Sequence, residues 1–211
     1  MKLASLRPLA TLGLALALAM PAYAAKPKSK PKAVPAAVAA PQILAATADS
    51  SLEILGDSTL HKWEAKAGKL FIGASLSPGA PSLFNGIEKG LLKGLSLSAE
   101  VAGLKSNESE KMDKNMRSAM ESGKFTAVTF VMSGYELKGD EVLARGSLTI
   151  HGVSKDVELT GKISAKGEGV SVQGHFELLM SAYGIKPPVM MLGTVRVADK
   201  VSIAYDFTLK P

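Results

Sequence analysis

The sequence predicts an all-β protein with one inserted helix. Three observations carry that expectation. Apolar and polar residues alternate along successive runs from Ser51 to Lys210, short glycine-containing turns separate those runs, and a single stretch has a helical period.

Taken in order, Ser51–Leu55 is a short strand, and Thr59–Leu76 reads as two strands broken at Ala67-Gly68, a hairpin signature. In Gly94–Leu104, Leu95, Leu97, Ala99 and Val101 face one way while Ser96, Ser98 and Glu100 face the other, as a half-buried strand requires. Asn107 with Glu110 resembles a capping box, and Gly123 supplies a stop. The predicted helix spans about 108–122, with Met112, Met116 and Met120 on one face. Phe125–Leu137 is β-rich and turns at Lys138-Gly139-Asp140 into a strand whose Val142, Ala144, Gly146, Leu148 and Ile150 share a face. Val157, Leu159 and Ile163 alternate next, then Val170, Val172, Phe176, Leu178 and Met180. Val201, Ile203, Tyr205, Phe207 and Leu209 close the chain. About eight or more antiparallel strands in one domain of this length make a barrel or a sandwich. Inward small residues such as Ala99, Gly146 and Gly174 leave space in a barrel interior, although glycine also relieves strand bending.

The N-terminal part has another character. Lys2 and Arg7 precede an apolar run from Leu9 to Met20, and Ala22-Tyr23-Ala24 places small residues where a signal peptidase reads. Residues 1–24 are therefore expected to be a cleaved signal, since the run is too short to span a bilayer as a helix. Residues 25–46 alternate Lys, Pro and Ala and read as a linker, and 47–211 as the folded domain. Export is expected to end in the periplasm, with full secretion as the alternative. There is no cysteine, hence no disulfide, lipoprotein anchor or thiolate chemistry.

The net charge of +6 divides unevenly. Lys2, Arg7, Lys26, Lys28, Lys30 and Lys32 lie before Thr47 with no acid among them, leaving 19 of the 25 basic residues against all 19 acidic ones in the domain. A neutral domain argues against nucleic acid as a partner. The basic linker suits weak contact with an anionic membrane surface, at about 1 kcal/mol per Lys at best. A solubilising spacer explains the same lysines equally well.

No catalytic constellation is legible. His61, His151 and His175 have no metal-ligand spacing to each other, and alternation puts His151 and His175 on polar strand faces. There is no nucleophile elbow, P-loop or paired-carboxylate motif, so the chain is expected not to be an enzyme. What stands out is greasy: the single Trp63, the helical methionines, and the stretch Tyr183–Gly193, where two prolines precede Val189, Met190, Met191 and Leu192. Methionine is flexible and polarizable and is common where varied apolar ligands are accepted; it also fills gaps in ordinary cores.

Four ordered stretches, STLHKW, MDKNMRSAMESGKFTAVTF, GSLTIHGVSKDVEL and SAYGIKPPVMMLGTVRVADKVSI, cover most of Ser51–Lys210. Together they resemble the YceI-like family of exported, polyisoprenoid-binding proteins. The third matches the family's G-x-L-T-I-x-G-V-[ST]-K-x-V hairpin. The first departs from the S-x-V-x-F start usual among better-known members. The resemblance implies an antiparallel up-and-down lipocalin-like barrel of about eight strands, an apolar tunnel for an isoprenoid quinone or polyprenyl lipid, and no catalytic residues. On that reading, Trp63, Met112, Met116, Met120, Phe130, Met132, Phe176, Met180, Tyr183, Met190, Met191 and Leu192 are expected to line the ligand, with the proline loop and the helix walling the barrel mouth. The function is then a lipid carrier or sequestering protein. The alternative is a protein-interaction or stress-protective scaffold whose barrel holds no lipid.

Overall fold

The computed structural model describes residues 42–211; the proposed signal 1–24 and linker residues 25–41 lie outside the described residues. Twelve strand segments form one antiparallel sheet that closes into a ring of eight. β1 (Gln42–Ala46) and β2 (Ser51–Ser58) are the halves of one bent strand, and β3 (Trp63–Lys66) and β4 (Leu70–Leu76) the halves of the next, because β1 pairs with β4 and β2 with β3. There follow α1 (Leu83–Glu88), β5 (Leu92–Glu100), β6 (Lys105–Ser106) and α2 (Glu110–Ala119). The meander continues through β7 (Ala127–Lys138), β8 (Glu141–Ile150), β9 (Val153–Lys166) and β10 (Gly169–Leu179), then the short β11 (Val189–Met190) and β12 (Val195–Lys210). β12 closes the ring, pairing with β10 along one edge and with β2 and the end of β1 along the other.

Several elements differ from the sequence reading. Residues 42–46, assigned to the linker, are β1: Leu44 is fully buried and packs with Ile72, Leu76 and Leu209. Two apolar residues among alanines are too few to show a period. Ala67-Gly68 is not a hairpin turn but the kink between β3 and β4. A Cβ on Gly68 would stand 2.5 Å from the Gly103 carbonyl oxygen, so glycine here serves a close approach of backbones. The hairpin turn lies earlier, at Thr59–Lys62, where the Ser58 hydroxyl accepts from the Leu60 and His61 amides and donates to the His61 carbonyl.

α2 is shorter than expected. Its N-cap is Ser109, whose hydroxyl accepts from the Met112 amide, rather than Asn107. It ends before Gly123. The Asp113 carboxylate accepts from the Ser106 amide (2.6 Å) and hydroxyl (2.8 Å), which pins α2 to β6 and holds this carboxyl below its ordinary range. α1 went unread. Its six residues span under two turns, too short for a period, although Ser82 caps it and Gly90 follows in the left-handed region. Leu83 and Ile87 bury into one end of the barrel, and the Tyr135 hydroxyl donates to the Ile87 carbonyl at 2.7 Å.

β7 carries a bulge between Met132 and Gly134, so inward positions shift from even (Val128, Phe130, Met132) to odd (Tyr135, Leu137). His151 is in the β8–β9 turn at φ 52°, not on a strand face. Its ring lies 4.3 Å from that of Phe125, with Nε2 3.4 Å from a Glu121 carboxylate oxygen. His175 does face out from β10.

At the β1–β2 bend, Asp49 accepts from Thr47 and Lys166, and Lys166 also donates to the buried Thr208 on β12. The Thr47 hydroxyl, then Lys166, hold the Asp49 carboxyl at about 2. A carboxyl depressed on folding stabilises above its unfolded value, and that contribution disappears as pH falls through the folded one. Melting temperature against pH for the native chain minus Asp49→Asn should therefore be positive above about pH 4 and fall to nothing near pH 2. Leu44→Ala should cost about 2–5 kcal/mol in urea unfolding, whereas Ile43→Ala, one residue away and exposed, should stay within about 0.5 kcal/mol.

Candidate functional site

The inward faces of the ring are aliphatic and aromatic, and they do not meet. Between them runs a cavity of about 250 Å³. Its wall reaches from Ile87 of α1 at one end to Met112 and Met116 of α2 and Met190 of the proline loop at the other. Along β8 alone it follows Val142 to Ile150, which at about 3.3 Å per residue and a strand tilt near 40° is roughly 20 Å of barrel axis.

Polar atoms in this wall are few. Trp63 donates its indole N–H to the Asp57 carbonyl at 3.3 Å. Tyr205 donates to the Thr160 carbonyl at 3.0 Å, and burial raises the hydroxyls of Tyr135 and Tyr205 above their ordinary value. The remaining polar side chain is Asn115, on the cavity side of α2. Its amide donates to the Met190 thioether at 3.3 Å, joining α2 to the proline loop. A thioether is a weak acceptor, so this amide is held without its best partner. Among the described residues no three His, Asp or Glu side chains stand close enough to hold a metal ion.

Nine of the twelve residues singled out from sequence sit in this wall: Trp63, Met112, Met116, Met120, Phe130, Met132, Phe176, Met180 and Met190. Three do not. Tyr183 is buried, but beside the cavity rather than in its wall. β9 and β10 pair only as far as Gly161 and Gly174, and Met180–Ile185 occupies the space beyond, with Lys155 lying 5.8 Å above the Tyr183 ring. Met191 and Leu192 point outward, because both take left-handed backbone, φ 50° and 54°. That conformation costs a non-glycine residue on the order of 1–3 kcal/mol. Alternation cannot see such a turn, so the sequence reading put Met190, Met191 and Leu192 together against the ligand. It also missed Ile54, Leu104, Ile185 and Pro188 in the wall. Ile54 follows from β2 running on to Ser58; the others come from irregular segments with no period to read.

The glycines expected to leave space do not. Phe130 covers Gly146 and Tyr205 covers Gly174, and in the same way the Trp63 ring lies on Gly56, a glycine not singled out from sequence, where a Cβ would be 2.1 Å from it. The cavity lies among aliphatic, methionine and aromatic side chains instead.

A family model for the YceI-like domain matches residues 67–209. Among solved structures, Burkholderia cenocepacia BcnA superposes with a TM-score of 0.61 at 16% identity, covering 76% of this chain and 96% of that one. A polyisoprenoid binding domain from Saccharophagus degradans, implicated in plant cell wall breakdown, gives 0.58 at 11% identity, covering 79% and 97%. A Campylobacter jejuni YCEI protein gives 0.51 at 17%, covering 68% and 82%. At these identities the likeness is one of fold. No curated protein sequence matches the chain.

Filling the space over Gly174 should be felt through Tyr205. Gly174→Ala is expected to cost about 1–3 kcal/mol in denaturant unfolding. In a Tyr205→Ala background the same change should cost less, the approach to the Thr160 carbonyl oxygen at 2.6 Å remaining, so a double-mutant cycle gives a coupling above zero.

Proposed function

The chain belongs to the YceI-like domain family, and from that premise we propose that it binds an isoprenoid-type lipid in the barrel interior and serves as a carrier or reservoir for it. The observation that carries the reading is the cavity: continuous from α1 to α2, apolar along its length, and capped at one end by flexible methionines. The likeness to a polyisoprenoid binding domain supports it.

The physics asks for nothing more than this wall. Burying about ten methylenes is worth about 8 kcal/mol gross, reduced by the ordering costs of association. A cavity near 150 Å³ accepts a benzene, so 250 Å³ as it stands holds a short piece of chain. A longer one enters by displacing Met112, Met116, Met120 and Met190, whose side chains rearrange at small cost. Asn115 gives the site direction. An oxygen on the ligand's polar end, such as a quinone carbonyl or a polyprenol hydroxyl, is a better acceptor than the Met190 sulfur. The apolar chain then points toward α1 and the oxygen toward α2. Binding of this kind needs no catalytic group. Residues 1–24 make the periplasm the place of action in this reading.

The deciding experiment is native mass spectrometry of protein purified from its own cells, followed by organic extraction. A co-purifying isoprenoid near one per chain supports the reading. A clean apo mass with no uptake of offered isoprenoid quinones and polyprenols overturns it and leaves the scaffold role. Met116→Lys should lower polyprenol affinity at least tenfold, about 1.4 kcal/mol or more, while Met191→Lys leaves uptake from solution unchanged. Asn115→Leu should weaken quinone binding severalfold yet spare a hydrocarbon of the same length.

A further inference from the structure

We propose that the α2 end of the barrel docks on an anionic lipid bilayer, with Leu60, Val189, Met191 and Leu192 entering the interface. The purpose of such docking rests on the lipid-binding reading, since it is at this end that the cavity is capped by side chains able to move.

The two ends of the barrel are chemically different. Large apolar side chains are exposed on the connections at the α2 end: Leu60 at 67%, Val189 at 60%, Met191 at 72% and Leu192 at 108%. The turns at the far end, 77–82, 139–140 and 167–168, expose none. The four residues belong to one rim, because the Thr59 amide donates to the Arg196 carbonyl at 3.0 Å and the Thr59 hydroxyl to the Thr194 carbonyl at 3.0 Å. That ties the β2–β3 turn carrying Leu60 to the loop carrying the other three. Met191 and Leu192 are not loose ends that happen to be wet. A left-handed backbone turns them out, while their neighbour Met190 faces the cavity.

Charge selects the partner. Segments 58–63 and 183–197 hold Lys62, Lys186 and Arg196, all exposed, and no acidic residue. Glu108, from the stretch before α2, engages His61 at 3.1 Å. Asp57 and Asp199, which flank these segments, accept from the Ser58 and Ser181 amides. Apolar tips carried beside three exposed cations match the interface of a bilayer containing anionic lipid, where each apolar side chain is buried at headgroup depth and each cation meets a phosphate. A membrane is also where an isoprenoid chain resides before and after it occupies a carrier. The rim lies against the cap formed by Asn115 and Met190, so docking would bring the cap to the lipid surface.

Vesicle flotation tests this, using protein from its own cells and vesicles of phosphatidylethanolamine with phosphatidylglycerol, compared with phosphatidylcholine alone. Flotation is expected with the anionic vesicles and much less with the neutral ones. Met191→Asp with Leu192→Asp should lower the bound fraction at least tenfold at an unchanged melting temperature, and Lys62→Glu with Lys186→Glu should lower it severalfold at low salt. Replacing Lys26, Lys28, Lys30 and Lys32 by Ser should leave flotation largely in place. Equal binding to both vesicle types, native-like flotation of the double Asp variant, or loss of flotation with the linker lysines alone each overturns the proposal. Polyprenol uptake from solution separates the two readings. Uptake without flotation removes docking only, and flotation without uptake removes the cavity reading while docking stands.

Discussion

Everything in this molecule depends on β12 reaching both edges of the sheet. It pairs with β10 through Val201–Leu209 and with β2 and β1 on its other side, and that single strand turns an open meander into a closed wall. Closure gives every ring strand a neighbour on each side, with β9 and β10 parting beyond Gly161 and Gly174. It also forces the apolar face of each strand toward one shared lumen. The cavity is a property of the ring rather than of any strand.

Closing eight strands demands strong curvature, and two devices supply it. The first two long strands are each broken into halves, at Thr47–Ser50 and Ala67–Lys69, so that their ends serve different neighbours. The second device repeats around the wall: an aromatic side chain covers a glycine of a neighbouring strand, Trp63 on Gly56, Phe130 on Gly146 and Tyr205 on Gly174. A glycine lets the strand bend and the ring covers the backbone it would leave bare. These pairs set three aromatic rings against the wall, where they line the lumen together with aliphatic side chains and methionine.

The ends of the barrel are closed by different means, and that gives the site its polarity. α1 is held by Ile87 and Leu83 in the core and by the Tyr135 hydrogen bond, a rigid floor. α2 is anchored at its start through Asp113 and Ser106, but its cavity side is made of methionines and one amide bonded to a thioether. The cavity thus has firm packing at one end and displaceable side chains at the other.

Local pattern along the chain was enough for the fold class and for most inward-facing positions. Period-two alternation in β5, β8, β10 and β12 named most inward residues correctly, because a strand's two faces are fixed locally by the pleat. The i, i+4, i+8 methionines of α2 were legible for the same reason, a helix face being a local property. The four motif stretches carried the family. Tertiary structure decided what depends on non-neighbours. It made Gln42–Ala46 a ring strand, since only β4 and the end of β12 give those residues partners. It turned Ala67-Gly68 from a hairpin into a kink, because Gly103 approaches from another strand. It filled the glycine spaces with rings from across the sheet. And it split the apolar run Val189–Leu192, sending Met190 inward and Met191 and Leu192 out, since a left-handed turn reverses the side of the chain and hydrophobicity alone does not record backbone handedness.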